Sequence, residues 1–277
     1  IPTGFSPYVL PIPAFMIMLE IFTNPRIAFA AGAVLLAVMT IGYQYDIQFL
    51  VTFLLLSLLS AVAISRIHYS RRFDLIKTGF DISFAGLVIV LSIYILEKCL
   101  IDVSNILILK NSAFILLNGI ISSIIALGTL PLFESSFKII TPYGLAELAD
   151  HNQPLLKRLQ FEAPGTYHHS LMVSNLCEAA AEAVGANPIL ARVGAFYHDI
   201  GKLKRPLFFV ENQSYFGIEN PHTKLNPRLS KMVITAHPKD VIEIAKEYGL
   251  PAIINNFILQ HHGEGLAKYF YNQAVQE

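Results

Sequence analysis

Five long apolar stretches lie in the first 133 residues of this 277-residue chain, and they constrain its fold more than any other feature. They cover residues 5–22, 27–43, 47–64, 82–96 and 113–133. A helix needs about 20 apolar residues to cross a bilayer, within a range of roughly 17–25. One such stretch fits a buried helix of a soluble protein equally well. Five in succession, separated by short polar turns, predict a transmembrane helical region of about five spans over residues 1–133.

Charged residues are concentrated in the second half of the chain. Of the 20 Lys and Arg and the 20 Asp and Glu, residues 1–133 hold only 7 and 6, and they hold one of the nine His. We therefore expect a juxtamembrane helical linker over residues 134–163 and a soluble domain over residues 164–277. The formal net charge of zero argues against nucleic acid bound to a basic face. The two distant Cys predict neither a disulfide framework nor a thiolate metal site.

Basic residues in the short loops predict the orientation of the spans, because cytoplasmic loops carry an excess of Lys and Arg. One side of the membrane would carry Arg26, Arg66, Arg71, Arg72 and Lys77, and the other side Lys98 and Lys110. This bias places the loop at residues 65–77 in the cytoplasm. Five alternating spans then place the N-terminus outside the cell and the soluble domain in the cytoplasm. The lipid bilayer is accordingly an expected partner.

Proline and glycine divide the second half into helices. A short amphipathic helix is predicted to follow Thr141-Pro142, a further helical turn covers residues 154–159, and Pro164-Gly165 is predicted to break the chain. Longer helices are predicted over residues 166–184, 188–199, 227–248 with an interruption at Pro238, and 251–262. Because no convincing alternating strand is present, the expected fold class is all-α, a multi-span helical bundle followed by an all-helical domain.

An adjacent His–Asp pair, followed by Ile-Gly-Lys, is the centre of the expected chemical site. Four more histidines lie next to predicted helix starts or ends, and the complete set is His169, His198, Asp199, His237, His261 and His262. Nitrogen and oxygen ligands without a thiolate suit two water-activating divalent ions, such as Fe or Mn, better than a structural zinc. Asp199 is the expected bridging ligand and a catalytic residue. His261 and His262 are expected to be divided between the two ions, which together would clamp an in-line displacement at phosphorus.

Basic residues after the His–Asp pair fit a phosphate-containing substrate. Lys202 is expected to contact phosphate oxygens and the charge that develops on them, as a catalytic and substrate-binding residue. Arg205 is a further substrate-binding candidate, although Lys204 and Arg205 fit a solvated basic turn equally well. His222 is another candidate for ligand or substrate contact.

Three other histidines are not assigned as metal ligands. His168 precedes His169, and at most one of this pair is expected to bind metal. His68 lies in a predicted loop and His151 in the linker, where an exposed side chain is expected.

These motifs resemble the HD superfamily of metal-dependent phosphohydrolases. The chain is most similar to the seven-transmembrane HD (7TMR-HD) family, which includes phosphodiesterases for cyclic di-AMP. The resemblance rests on His198-Asp199-Ile200-Gly201-Lys202, His237-Pro238, His261-His262-Gly263, PLLKRL at residues 154–159, EAPGTYHHS at residues 162–170, and Lys204-Arg205-Pro206. It covers nearly the whole chain and implies a cytoplasmic HD phosphohydrolase domain, truncated at its C-terminus, over residues 164–277.

The family implies hydrolysis of cyclic di-AMP to linear pApA at a two-metal site, in bacterial second-messenger turnover. It also implies an extracellular sensor domain and a first transmembrane helix before Ile1, so the chain is expected to be a fragment of a longer protein. The last metal ligand of the family, an Asp after the second His pair, has no match up to Glu277. That Asp is expected beyond Glu277, or else the site is incomplete.

The sequence leaves two other functions open. One is an HD phosphohydrolase for cyclic di-GMP, another nucleotide or a phosphomonoester, because pocket shape rather than ligand spacing selects the substrate. The other is an HD receptor domain that binds a ligand without catalysis. A homodimer is compatible with the chain, although no motif requires one.

Overall fold

A computed structural model gives the fold and describes residues 6–42, 46–65, 72–99, 103–263, 265 and 267–276. All regular secondary structure within these residues is helical, which confirms the predicted all-α class. The chain divides into two compact units, Ile1–Tyr143 and Gly144–Glu277. The domain boundaries at residues 133 and 163 stay predictions.

The first unit contains, within its described residues, one 3-10 turn and five α-helices. The turn is Pro7–Val9, and the helices are α1 (Ile12–Phe22), α2 (Pro25–Gly42), α3 (Ile47–Ser65), α4 (Asp74–Lys98) and α5 (Asn105–Phe137). Four of them, α2 to α5, are long and apolar enough to cross a membrane. Helix α1 has 11 residues, fewer than the roughly 17 that a span needs. A span formed by the first apolar stretch therefore stays a prediction.

Small residues let α4 and α5 approach each other closely. A Cβ atom at Gly119 would lie 2.6 Å from the carbonyl oxygen of Gly79 and 2.6 Å from the backbone nitrogen of Ser83. Such small residues are typical of helix contacts in membranes, where packing rather than the hydrophobic effect drives association. Helix α5 begins before the apolar stretch at residues 113–133, and the buried polar residues Asn111 and Ser112 lie in this earlier part.

An ion pair joins the start of α4 to the last turns of α5. Arg72 Nη2 lies 3.0 Å from Glu134 Oε2, and the hydroxyl of Thr141 donates to the other carboxylate oxygen of Glu134. Arg72 is one of the basic residues that predict a cytoplasmic loop. Arg66 and Arg71 of the same loop, and His68, lie outside the described residues.

The second unit begins within α6 and contains, among the described residues, seven further α-helices. Helix α6 is Pro142–Leu148, and the seven further helices are α7 (Pro154–Glu162), α8 (Pro164–Ala183), α9 (Pro188–Tyr197), α10 (Val210–Phe216), α11 (Pro227–Glu247), α12 (Ala252–Gln260) and α13 (Lys268–Gln276). The side chains of Asn187 and Asn226 cap α9 and α11 by accepting backbone N–H groups over 3.0 and 2.8 Å, so both predicted helix starts are confirmed. The sequence did not predict α10 or α13.

Two prolines act differently from the sequence prediction. Pro164 is the first residue of α8, so the break lies at Ala163, because proline is tolerated in the first turn of a helix. Pro238 lies inside α11, which continues without interruption, so the predicted interruption is wrong and His237 is not at a helix end. An interior proline costs a helix about 3 kcal/mol. Burial of Val241 and Ile244 in the following turns helps to offset that cost.

Candidate metal centre

The carboxylate of Asp199 lies between four imidazole rings. Its Oδ2 atom is 3.2 Å from His198 Nε2 and 3.9 Å from His169 Nε2. Its Oδ1 atom is 3.3 Å from His237 Nε2 and 3.6 Å from His261 Nε2. The two oxygens therefore face different histidines, which is the arrangement of a carboxylate able to bridge two cations.

All six predicted metal ligands come together in two groups that share Asp199. One group is His169, His198 and Asp199, and the other is Asp199, His237, His261 and His262. Within each group the ligand atoms lie within 4.8 Å of one another. The sequence hypothesis divided His261 and His262 between two ions, whereas both belong here to the second group. His261 also packs against His198, with ring centroids 4.9 Å apart, so the two groups are neighbours.

Three of the imidazoles are oriented by the same kind of hydrogen bond. The Nδ1 atoms of His198, His237 and His261 each lie 2.6 Å from the carbonyl oxygen three residues earlier in the chain. A carbonyl oxygen only accepts hydrogen bonds, so each Nδ1 carries the proton. With Nδ1 held in this way, Nε2 is the nitrogen that faces the site and can bind a metal.

The remaining two histidines complete the groups from α8 and from the end of α12. His169 lies near the start of α8, and its side chain is 49% exposed. His262 Nε2 is 3.0 Å from His237 Nε2. Burial, together with His261 and His237, lowers the pKa of His262 to about 4. The ring of His262 is therefore neutral at physiological pH, the form that can bind a metal.

The buried carboxylate of Asp199 fits a cation. Asp199 is 2% exposed, and burial alone would raise its pKa, but the imidazoles of His198, His237 and His261 lower the pKa and keep the group ionised. Its Oδ1 atom has no hydrogen-bond partner among the described residues. Buried charges in proteins are paired with an opposite charge or coordinate a metal. The residues present thus fit a divalent metal site.

Lys202 is buried beside Asp199 and held by two carboxylates. Its Nζ atom is 2.8 Å from Asp199 Oδ2 and 2.7 Å from Glu211 Oε1, and it lies 4.9 Å from the centre of the Phe209 ring. Burial alone would lower the pKa of Lys202, but Asp199 and Glu211 raise it. Lys202 therefore stays charged, next to the shared carboxylate.

Glu211 is a residue of this site that sequence reasoning missed. It begins α10 and is held by Thr166, whose hydroxyl donates to Glu211 Oε1 over 3.1 Å. The side chain of Asn212 accepts the backbone N–H of Thr166 over 3.0 Å, which fixes α10 against the start of α8. Thr166 belongs to the motif EAPGTYHHS at residues 162–170. Nothing in the spacing of the sequence, however, links Glu211 to Lys202.

Arg205 and His222, the two other substrate-binding candidates, contact residues outside the two metal groups. Arg205 Nη1 lies 2.8 Å from Asp240 Oδ2, and Lys204 pairs with Asp240 and Glu243 on the same helix. His222 Nε2 donates to the carbonyl oxygen of Phe208 over 2.9 Å, and the His222 ring packs against Phe208 and Phe270. Their contacts with substrate stay predictions.

His168 and His151 lie apart from the two groups. His168 stacks on Tyr215, with ring centroids 6.2 Å apart, while its neighbour His169 faces Asp199. His151 is exposed, as expected, and its Nδ1 atom is hydrogen-bonded to the hydroxyl of Tyr167 over 2.9 Å.

Fold and site together define a membrane protein with a helical domain that has a His/Asp site for divalent metal. Comparison with protein families agrees: the model for 7TM receptors with an intracellular HD hydrolase matches residues 2–141, and the model for the HD domain matches residues 166–276. The chain belongs to the family of 7TM receptors with an intracellular HD hydrolase.

Two curated relatives match almost the whole chain. The cyclic-di-AMP phosphodiesterase PgpH of Bacillus subtilis (strain 168) is 39% identical over 281 residues, which cover 98% of this chain and 38% of the relative. PgpH of Listeria monocytogenes serotype 1/2a (strain 10403S) is 41% identical over 277 residues, which cover 99% of this chain and 36% of the relative. The chain thus spans less than two fifths of the length of these relatives.

Crystal structures of the L. monocytogenes PgpH HD domain are also similar to part of the chain. The HD domain alone is 56% identical over 46% of this chain and 60% of that structure, with a TM-score of 0.43. The HD domain in complex with cyclic-di-AMP is 55% identical over 46% of this chain and 58% of that structure, with a TM-score of 0.43.

Proposed function

We propose that the chain is the membrane-anchored catalytic part of a bacterial phosphodiesterase that hydrolyses cyclic di-AMP to linear pApA with two divalent metal ions. The observation that carries the proposal is the shared carboxylate of Asp199, whose two oxygens face two different groups of imidazoles. Two ions held in this way stabilise both the attacking and the leaving oxygen at phosphorus. The names of the two curated relatives support cyclic di-AMP as the substrate.

In this proposal each group of ligands holds one ion. His169, His198 and Asp199 would hold one ion, and Asp199, His237, His261 and His262 would hold the other. Imidazole and carboxylate ligands fit Fe or Mn. When bound, the ions supply Lewis-acid activation of a water molecule and of the phosphate oxygens.

The side chains of the protein orient the ligands and balance the charge that develops. Hydrolysis consumes one water and opens one phosphodiester, which leaves a phosphate at one end and a hydroxyl at the other. Lys202 holds Asp199 over 2.8 Å, and its buried positive charge stabilises the negative charge of the reacting phosphate. We keep Lys202 as a catalytic residue, and we keep Lys202, Arg205 and His222 as substrate contacts to be tested.

The proposed location is the cell membrane, with the HD domain in the cytoplasm. The basic loop before α4 supports this orientation, since cytoplasmic loops carry more Lys and Arg. An extracellular sensor domain and a homodimer belong to the same proposal, because the resemblance implies the first and the chain is compatible with the second.

The test is turnover of a panel of cyclic dinucleotides by the purified full chain loaded with Mn²⁺, with products identified by mass. Cyclic di-AMP should give pApA, and Asp199→Ala should abolish turnover while the helical content is kept. Asp150→Ala is the control, because Asp150 is exposed and, among the residues that the structure describes, its carboxylate accepts hydrogen bonds from Asn152 alone. Cleavage of cyclic di-GMP alone would favour the other substrate class. Metal binding without any cleavage would favour the receptor.

A further inference from the structure

The ring of His237 is oriented by a backbone carbonyl in the middle of a helix. A carbonyl in that position normally already accepts a hydrogen bond from a backbone N–H of the helix. In an α-helix each carbonyl accepts the N–H four residues later, and only the carbonyls of the last turn lack this partner. His198 and His261 follow that rule. Their acceptors, Ala195 and Ile258, lie in the last turns of α9 and α12.

The acceptor of His237 is Ile234, which lies well inside α11. The helical partner of the Ile234 carbonyl would be the N–H of residue 238. Residue 238 is proline, which has no N–H. The carbonyl of Ile234 is therefore without its helical donor, and His237 Nδ1 lies 2.6 Å from it. Pro238 thus leaves a carbonyl available as an acceptor inside a helix, whereas His198 and His261 use carbonyls that are available because they lie at a helix end.

We infer that Pro238 is a positioning residue of the metal centre: it leaves the Ile234 carbonyl free to accept the Nδ1–H of His237, so that Nε2 points at Asp199. This inference rests on the proposed metal site. His237 is 2% exposed, so its ring has little access to water as an alternative acceptor. On its other side the His237 ring packs edge-to-face against the ring of Phe209, with ring centroids 5.5 Å apart. An aromatic ring has no carbonyl oxygen that could accept the Nδ1–H.

Pro238→Ala should separate the two roles that a proline in this position could have. Alanine restores an N–H that competes with His237 for the Ile234 carbonyl, so the hydrogen bond that fixes the tautomer of His237 becomes weaker. Alanine is also the best helix former and proline the worst, so α11 should become more stable rather than less. If Pro238 only shaped the fold, Pro238→Ala would lower the stability and the metal affinity together.

The experiment uses the full chain in detergent, stripped of metal and then titrated with Mn²⁺ by calorimetry. Removing an outer-shell partner of a ligand typically weakens metal binding about 10–100-fold, and we expect that loss for Pro238→Ala. The unfolding midpoint of the metal-free variant, followed by circular dichroism, should equal or exceed that of the wild type. Pro131→Ala is the matched control, because Pro131 also lies inside a long helix, α5. The residue before it is Leu130, whose side chain has no hydrogen-bond donor that could use the carbonyl left free by the proline.

A second measurement reads the ring of His237 directly. In ¹⁵N spectra of metal-free protein with labelled imidazoles, Pro238→Ala should lose the Nδ1–H form of one histidine that is present in the wild type. Unchanged Mn²⁺ affinity, or weaker affinity together with a lower unfolding midpoint, would overturn the role of Pro238. A wild type that binds no Mn²⁺ would instead refute the metal centre itself, so the two failures are distinguishable.

Discussion

The backbone of Gly201 lies directly against the carbonyl oxygen of His237. A Cβ atom at residue 201 would overlap that oxygen and would lie 2.8 Å from Val241 Cγ2. Because Gly201 follows Asp199 by two residues, this contact sets the distance between Asp199 and the helix that carries His237. Glycine is thus required after the His–Asp pair for a steric reason.

Gly201→Val should separate Asp199 from α11. Overpacking of this kind typically costs 1–3 kcal/mol, so we expect a lower unfolding midpoint and weaker Mn²⁺ binding. Both are measured on the purified chain, by circular dichroism and calorimetry. Gly128→Val is the control, because a Cβ at Gly128 meets nothing within 4 Å. Equal midpoints for the two variants would contradict the steric argument.

Asp199→Asn should reduce metal binding at both groups, because one carboxylate serves both. His169→Ala should act directly on the group that it shares with His198, and only indirectly, through Asp199, on the other group. We expect Asp199→Asn to retain less than one metal per chain, and His169→Ala to retain about one, since each ion needs its own set of ligands. Metal content is measured by mass spectrometry after equilibration with Mn²⁺. The same stoichiometry in both variants would argue against two separate sites.

Glu211→Gln should weaken Mn²⁺ binding by about tenfold or more, because Glu211 balances and holds Lys202 beside Asp199. The matched control is Glu178→Gln, which removes a similarly exposed carboxylate from an ion pair of 2.6 Å with Arg192. Calorimetry on both variants gives the comparison. If Glu211→Gln raises only the KM for substrate, then Lys202 acts on the phosphate and not on Asp199.

Gly119→Leu should separate α4 from α5 in the membrane unit. The side chain would meet the backbone of Gly79 and Ser83, neither of which can move without moving the helix. We expect a clear loss of monodisperse protein in detergent and a lower unfolding midpoint. Gly128→Leu on the same helix has open space and should behave like the wild type. If Gly128→Leu also lost monodisperse protein and had a lower unfolding midpoint, the cause would be general damage to α5 rather than the contact with α4.

The two cysteines report the orientation of the chain in intact cells. Cys99 is exposed at the end of α4, on the side predicted to face outward, and Cys177 lies in α8 of the second unit. A membrane-impermeant maleimide should label Cys99 in intact cells, and it should reach Cys177 only after the membrane is opened. Labelling is measured by mass spectrometry with Cys99→Ser as the control. The opposite pattern would place the second unit outside.

The order of ligands along the chain was enough to predict Asp199 and the five histidines that meet around it. Two of these histidines, His237 and His262, lie beside residues that local rules recognise, Pro238 and Gly263. Glu211 could not be predicted in this way, because its contact with Lys202 depends on how α10 packs against α8. Four of the five predicted spans correspond to helices long enough to cross a membrane. Hydropathy misses buried polar residues before an apolar stretch, such as Asn111 and Ser112 at the start of α5.

The carboxylate shared by the two groups makes their occupancies thermodynamically linked. If an ion in one group changes the metal affinity of the other group by some factor, then an ion in the second group changes the metal affinity of the first by the same factor, because coupling free energies are reciprocal. The His169 side, which is half exposed, and the buried His237 side would therefore fill as a coupled pair rather than independently. Turnover would then respond to the supply of free metal in the cell with a steeper dependence than one isolated site allows, or a shallower one if the two cations repel.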